Sequence, residues 1–210
     1  MKTIKLHLGQ WKNKKEMFKS LEGYNISSYA KEILESKDFK LNKPQKVEIA
    51  ILSLDDLGLP KHSTTKEIRK KAESLGYTTP PAEVAPLIRL AISDEEIKNL
   101  GLWLIATMYE PINDSDGDPS LLCAYRFDDG RWLNAYCVEP DVQWPRESGF
   151  AFVVSPKSLN SDLAIDFLKE FNNISPSNLD DILETLKDND CLNDKGLKLR
   201  KDFWEMFIKR

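Results

Sequence analysis

The densest run of chemically capable residues in this 210-residue chain is Glu110-Pro-Ile-Asn-Asp-Ser-Asp-Gly-Asp118. Asp114, Asp116 and Asp118 occupy alternate positions, with Glu110 just ahead of them. Carboxylates at every second residue converge on a hard cation in Asp-rich calcium loops, which makes this loop the candidate divalent-cation site. An EF-hand needs Gly at the sixth position and Glu at the twelfth; counted from Asp114 these are Pro119 and Tyr125. Metal-dependent hydrolysis would call for further ligands, and Glu139 and Asp141 could supply them if the 138–148 connection folds over the loop. The competing expectation is a polar turn between two strands, because Asn, Asp, Ser, Gly and Pro are the residues that turns select.

A second set joins ring faces to guanidinium groups: Trp103, Tyr125, Phe127, Trp132, Tyr136 and Trp144, with Arg126, Arg131 and Arg146 among them. Asp129-Gly130 reads as a two-residue primed turn, which sets Phe127 opposite Trp132 and Asp128 opposite Arg131. Tyr125 and Tyr136 then share the face of that pair. Such a face can stack a planar ligand or anchor a partner protein, with Trp132, Arg126 and Arg131 as contacts. It can equally be the covered core of a sheet. Trp144, beside Pro145 in a loop, is the aromatic residue expected to stay available for contact. In the same register Cys123 and Cys137 point to opposite faces, so no disulfide between them is expected. Reduced thiols suit a cytoplasmic protein.

Other chemistries find no support in the spacing. His7 and His62 stand far from each other and from any cysteine at ligand spacing, so no zinc site is expected. The chain has no Gly-x-Ser-x-Gly elbow, no GxxxxGK[ST] phosphate loop and no GxGxxG turn. Glu83 and Arg89 fall in a Pro-interrupted apolar stretch, where they form either a buried ion pair or the solvated side of a short helix.

The composition is that of a globular protein, with 41% hydrophobic and 30% charged residues and a formal net charge of −4. No apolar run approaches the roughly 20 residues of a membrane-spanning helix, so no membrane partner is expected. Met1 to Leu8 lacks the long apolar core of a secretory signal and reads as a strand. The average charge conceals three regions. Residues 1–46 carry 11 basic and 5 acidic side chains, a net of +6. Residues 47–155 carry 10 and 18, a net of −8, and residues 156–210 carry 9 and 11, a net of −2. The basic segment 1–46 is thus the candidate for an anionic partner, nucleic acid included.

The elements that must position these groups follow from periodicity. Residues 1–54 predict a strand-helix-helix-strand unit: Ile4, Leu6 and Leu8 alternate, Asn13 and Ser27 or Ser28 cap two helices, and Val47, Ile49 and Ile51 alternate again. Residues 55–155 predict short helices behind capping boxes at Thr64 and Ser93, then an antiparallel meander ending in Phe150–Val154. Pro86 is expected to break residues 82–90 into separate turns. Residues 156–210 predict a helical subdomain, its basic run Lys195, Lys198, Arg200 and Lys201 preceded by many acidic residues. The fold class is therefore α+β, divided at 1–54, 55–155 and 156–210.

The ordered string Asp56-Leu-Gly-Leu59, Pro81-Ala-Glu-Val-Ala-Pro-Leu-Ile-Arg-Leu90, Trp103-Leu104, Glu110 to Gly117 and Trp132-Leu133 resembles a group of bacterial proteins of unassigned function, over about residues 1–155. The resemblance implies a bacterial origin and a shared fold, and it transfers no catalytic residue, cofactor or partner. The residues themselves point to a non-catalytic intracellular binding or interaction module, regulatory or immunity-like, whose partner is another protein and which needs no cofactor. One alternative is a metal-dependent enzyme using Glu110, Asp114, Asp116 and Asp118. The other is nucleic-acid binding through residues 1–46.

Overall fold

Alternation along Lys2–Leu8 buries Leu6 and Leu8 and exposes Thr3, Lys5 and His7, which makes this segment β1, an edge strand. A computed structural model describes residues 1–154 of the chain. The helical subdomain expected over 156–210, with Lys195 to Lys201, lies outside the described residues, as does Cys191.

Local side-chain chemistry starts most of the helices. Asn13 Oδ1 accepts the Glu16 N–H at 3.0 Å and opens α1 (Lys14–Ser20). After the short β2 (Asn25–Ile26), Ser27 caps α2 (Ser28–Glu35), whose Ala30, Ile33 and Leu34 are buried. β3 (Gln45–Ser53) runs antiparallel to β1 with Ile4 opposite Ile49. A capping box at Thr64 begins α3 (Thr65–Ser74), which β4 (Tyr77–Thr78) follows. A second box at Ser93 begins α5 (Asp94–Asn99), after α4 (Val84–Ala91).

α4 corrects the expectation of broken turns at Pro86. The helix is continuous, with Val84, Ala85 and Pro86 as its first three residues. N–H groups in a first helical turn have no partner inside the helix, so a proline there removes no hydrogen bond.

The remaining strands are β5 (Leu104–Thr107), β6 (Ile112–Asn113), β7 (Pro119–Phe127), β8 (Gly130–Cys137) and β9 (Ser148–Val154). All nine strands of the described residues join one sheet, in the order β1-β3-β9-β5-β7-β8-β2, with β4 on β9 and β6 on β7. The chain is mixed α/β, and the sheet is mostly antiparallel; β5 with β9 and β2 with β8 are its parallel pairs. The expected meander is interrupted. β9 does not follow β8 at the edge but inserts between β3 and β5, so that Ala151 pairs with Ile51 on one side and Thr107 on the other. Phe150, Ala151 and Phe152 are all buried, and successive buried residues require cover on both faces, which a central strand has. Through these pairings β1 and β3 of segment 1–54 continue the same sheet as the strands of segment 55–154, and β2 adds to its far end.

The β7–β8 hairpin also differs in register. Phe127 pairs with Gly130, Arg126 with Arg131 and Tyr125 with Trp132, so the turn is Asp128-Asp129 and not Asp129-Gly130. Neither aspartate has a positive φ, as a primed turn would require; the left-handed backbone falls on Gly130, at φ 139°. Because the slip is two residues, every side chain keeps its expected face. Cys123 therefore pairs with Asn134 and Cys137 with Ser120, on opposite faces, and both thiols are free.

Cross-strand pairing defines the two faces. Phe150, Ala106, Cys123 and Asn134 follow one another across the sheet, which puts Phe150, Tyr125 and Tyr136 on one face. Arg126 and Arg131 project from the other, where α4 brings Arg89.

Candidate functional site

The acidic loop connects β6 to β7, which pair through Ile112 with Ser120 and Asn113 with Pro119. Its carboxylates do not share a centre. Asp114 Oδ1 accepts the N–H groups of Asp116 and Asp118, each at 3.0 Å, and so closes the turn on itself. Gly117 completes that turn at φ 91°, donating to the Asp114 carbonyl. Asp116 instead reaches across to α2, where the Tyr29 hydroxyl donates to it at 3.4 Å, and the Asp116 charge raises the Tyr29 pKa. Glu110 faces α3 and pairs with Arg69 at 2.8 Å. Among the described residues no three His, Cys, Asp or Glu side chains gather as a metal-ligand group. Glu139 lines a groove of about 560 Å³ together with Lys66, Arg69, Lys70 and Pro111. In that groove's wall Arg69 donates to the Tyr109 carbonyl as well as to Glu110.

Trp144 occupies a different place from the one its loop position suggests. It is fully buried, stacked on Tyr136 at 4.4 Å between ring centroids and edge-on to Phe150 at 5.5 Å. Its indole N–H donates to Thr65 Oγ1 at 2.9 Å, and its backbone N–H to the Ser63 carbonyl at 3.0 Å. The indole thus pins the 138–147 connection and the start of α3 to the sheet. A tryptophan flanked by polar residues and proline looks accessible in sequence because its cover comes from the folding of the two flanking strands over it and from α3, 79 positions away.

The remaining aromatic residues meet at the turn end of the β7–β8 hairpin. On one face Tyr125 stacks on Phe127 at 5.0 Å, and Phe127 meets Trp132 edge-on at 6.0 Å. The Trp132 indole N–H is held by Asp129 at 2.9 Å. On the other face the Arg126 guanidinium lies over the Trp103 ring, 4.0 Å from its centroid. Trp103 is 48% exposed and Phe127 41%, large values for such side chains. Trp103 is brought here by the turn after α5, which leads straight into β5.

Beneath Arg126 the arginines are built in. Arg131 lies directly across the ladder from Arg126 and packs over the Tyr24 ring at 4.6 Å. Its terminal nitrogens donate to the Tyr24 hydroxyl at 3.0 Å and to the carbonyls of Arg89 and Ile92 at 3.1 and 2.9 Å. Arg89 is fully buried and donates to the Tyr125 and Ile92 carbonyls, while contacting the Asp94 carboxylate at 2.8 Å. Burial pulls the Arg89 pKa down and the Asp94 charge opposes that.

Glu83, the other charge in the α4 stretch, does not pair with Arg89. It is buried, and its carboxylate accepts the N–H groups of Gly9 and Asn42 at 3.0 and 2.8 Å and the Asn42 side-chain amide at 2.9 Å. The signal for both burials was present: each is a single charge inside an otherwise apolar run, Ala82 to Ile92. The partners that satisfy them, however, come from distant segments. Arg146, named with the aromatic set, pairs instead with Asp55 at 3.0 Å on the surface.

Of the eight residues singled out in the sequence, Trp132, Arg126 and Arg131 come together at the hairpin end, Trp144 is core, and the four acidic residues stay apart. Comparison with protein-family models, with curated proteins and with solved structures finds no match to this chain.

Proposed function

We propose that this protein is a non-catalytic binding module that engages another protein through the turn end of the β7–β8 hairpin. One observation carries the reading: Trp103 and Phe127, rigid and large, stand about half out of the fold on either face of one hairpin end. Tryptophan, tyrosine and arginine are the side chains that most often carry binding energy at protein interfaces, and the aromatic ones bury much area with few torsions to freeze. The surrounding residues are already fixed by the Asp129 and Tyr125 contacts, which lowers the ordering cost of docking. The reading carries with it a cytoplasmic location, where Cys123 and Cys137 stay reduced, and a regulatory or immunity-like role.

The test is site-specific photocrosslinking in the native lysate. A benzophenone amino acid placed at Phe127, and separately at Trp103, should trap the same protein adduct, identified by mass spectrometry. Placed at Lys5 on the distant edge strand, it should not. Adducts that are the same from all three positions, or none at all, would sink the proposal.

A further inference from the structure

Three guanidinium groups crowd the hairpin end, and the described residues bring one carboxylate to them. Arg126 and Arg131 are a direct cross-strand pair, an arrangement that like charges disfavour, and Arg89 packs behind Arg131. Asp94 contacts Arg89. Among the described residues no carboxylate neutralises Arg131, but its terminal nitrogens are engaged by Tyr24, Arg89 and Ile92. Arg126 differs from both. Its Nε leans on the Leu102 carbonyl at 3.5 Å, and no described residue accepts from its terminal nitrogens. It is nonetheless held flat, by the Trp103 ring at 4.0 Å.

On this basis, and resting on the docking reading above, we propose that the partner presents a carboxylate side chain, flanked by apolar residues, to the guanidinium fork of Arg126 on Trp103. A guanidinium offers two parallel N–H donors that match a carboxylate, and this one is held in place before binding. The half-exposed indole beside it supplies apolar surface for the flanking residues. A polyanion is the poorer fit. The hairpin lies in the segment of net −8, and Asp128 and Asp129 form its tip, so a phosphate backbone running past Arg126 would meet repulsion that a single carboxylate avoids.

Selection of a random peptide library displayed on phage against the full chain tests this. Peptides that depend on Trp103 should be enriched in Asp or Glu next to aliphatic or aromatic residues. Replacing that carboxylate by its amide should weaken binding about tenfold or more, the scale of one charge-assisted hydrogen-bond pair. Arg126→Gln should erase the difference between acid and amide while leaving the thermal midpoint unchanged, and Arg126→Lys should restore only part of it. Trp103-dependent peptides with no acidic enrichment would overturn the carboxylate proposal and leave the docking reading standing. Peptides indifferent to both Trp103→Ala and Phe127→Ala would overturn both. Capture of single-stranded DNA through Arg126 in preference to any peptide would replace the protein carboxylate with a phosphate.

Discussion

The carboxylate of Glu83 accepts the backbone N–H of Gly9 at 3.0 Å, joining the entrance of α4 to the end of β1 across 74 positions of sequence. The same carboxylate holds Asn42, so one buried charge orders two loops that approach each other closely. Gly9 sits at φ 67°, and a Cβ there would lie 2.5 Å from the Lys43 carbonyl carbon and the Pro44 nitrogen. Glu83→Ala leaves three part-buried donors without their acceptor and should cost about 2–4 kcal/mol, read from urea unfolding. Gly9→Ala should destabilise through backbone overlap and the left-handed φ. Because both changes open one contact, the double variant should lose less than the sum of the two. Strict additivity would show that Glu83 does not act on the Gly9 turn.

Trp144 is expected to behave as a core residue. Trp144→Phe retains a ring between Tyr136 and Phe150 but loses the bond to Thr65, and should cost about 1 kcal/mol for the bond plus the lost ring volume. Trp144→Ala should cost about 3–5 kcal/mol. Denaturant midpoints measured on both variants check this; a neutral Trp144→Ala would place the indole at the surface.

The two described thiols should differ sharply in reactivity. Cys123 is buried, and burial pushes its thiol pKa far up, so almost no thiolate forms. Cys137 is partly accessible. Brief iodoacetamide treatment of the native protein, followed by peptide mapping, should modify Cys137 and spare Cys123 until denaturant is added. Equal labelling of the two in the native state would contradict the packing of β7.

Glu96 should contribute a pH dependence at the acid end. Hydrogen bonds from Lys2, at 2.6 Å, and from Ser93 lower its pKa from 4.5 to about 2. A carboxyl group whose pKa falls on folding stabilises the fold fully above its unfolded pKa and loses that contribution as pH falls through the folded value. The stability difference between the wild type and Glu96→Gln should therefore shrink as pH drops from 4.5 to about 2. Lys2 and Glu96 are partly exposed, so the difference is small and should fall further with added salt. A difference that is constant across that range would show that the Lys2–Glu96 pair does not persist in solution.

Interactions that close within a few residues were open to reading from the chain alone. Asn13, Ser27, Thr64 and Ser93 each bond an N–H three residues ahead, so the starts of four helices are written locally. Strand alternation around Ile4 and Ile49, and the opposite faces of Cys123 and Cys137, are likewise set by a period of two residues. Those faces survived a turn placed one residue off because the register slipped by an even number.

What only the tertiary structure decided depends on which elements the fold brings together. β9 became a central strand because Phe150 to Phe152 needed cover on both faces, and the place between β3 and β5 provides it. Trp144 became core because Tyr136, Phe150 and Thr65 converge on one loop. The acidic loop dispersed because Asp114 found backbone donors nearby while Asp116 and Glu110 found Tyr29 and Arg69 on two different helices. Sequence alone determined which residues could bury, cap or carry charge; long-range packing determined which of them met, since the free energy of a buried ring or carboxylate lies in its distant neighbours.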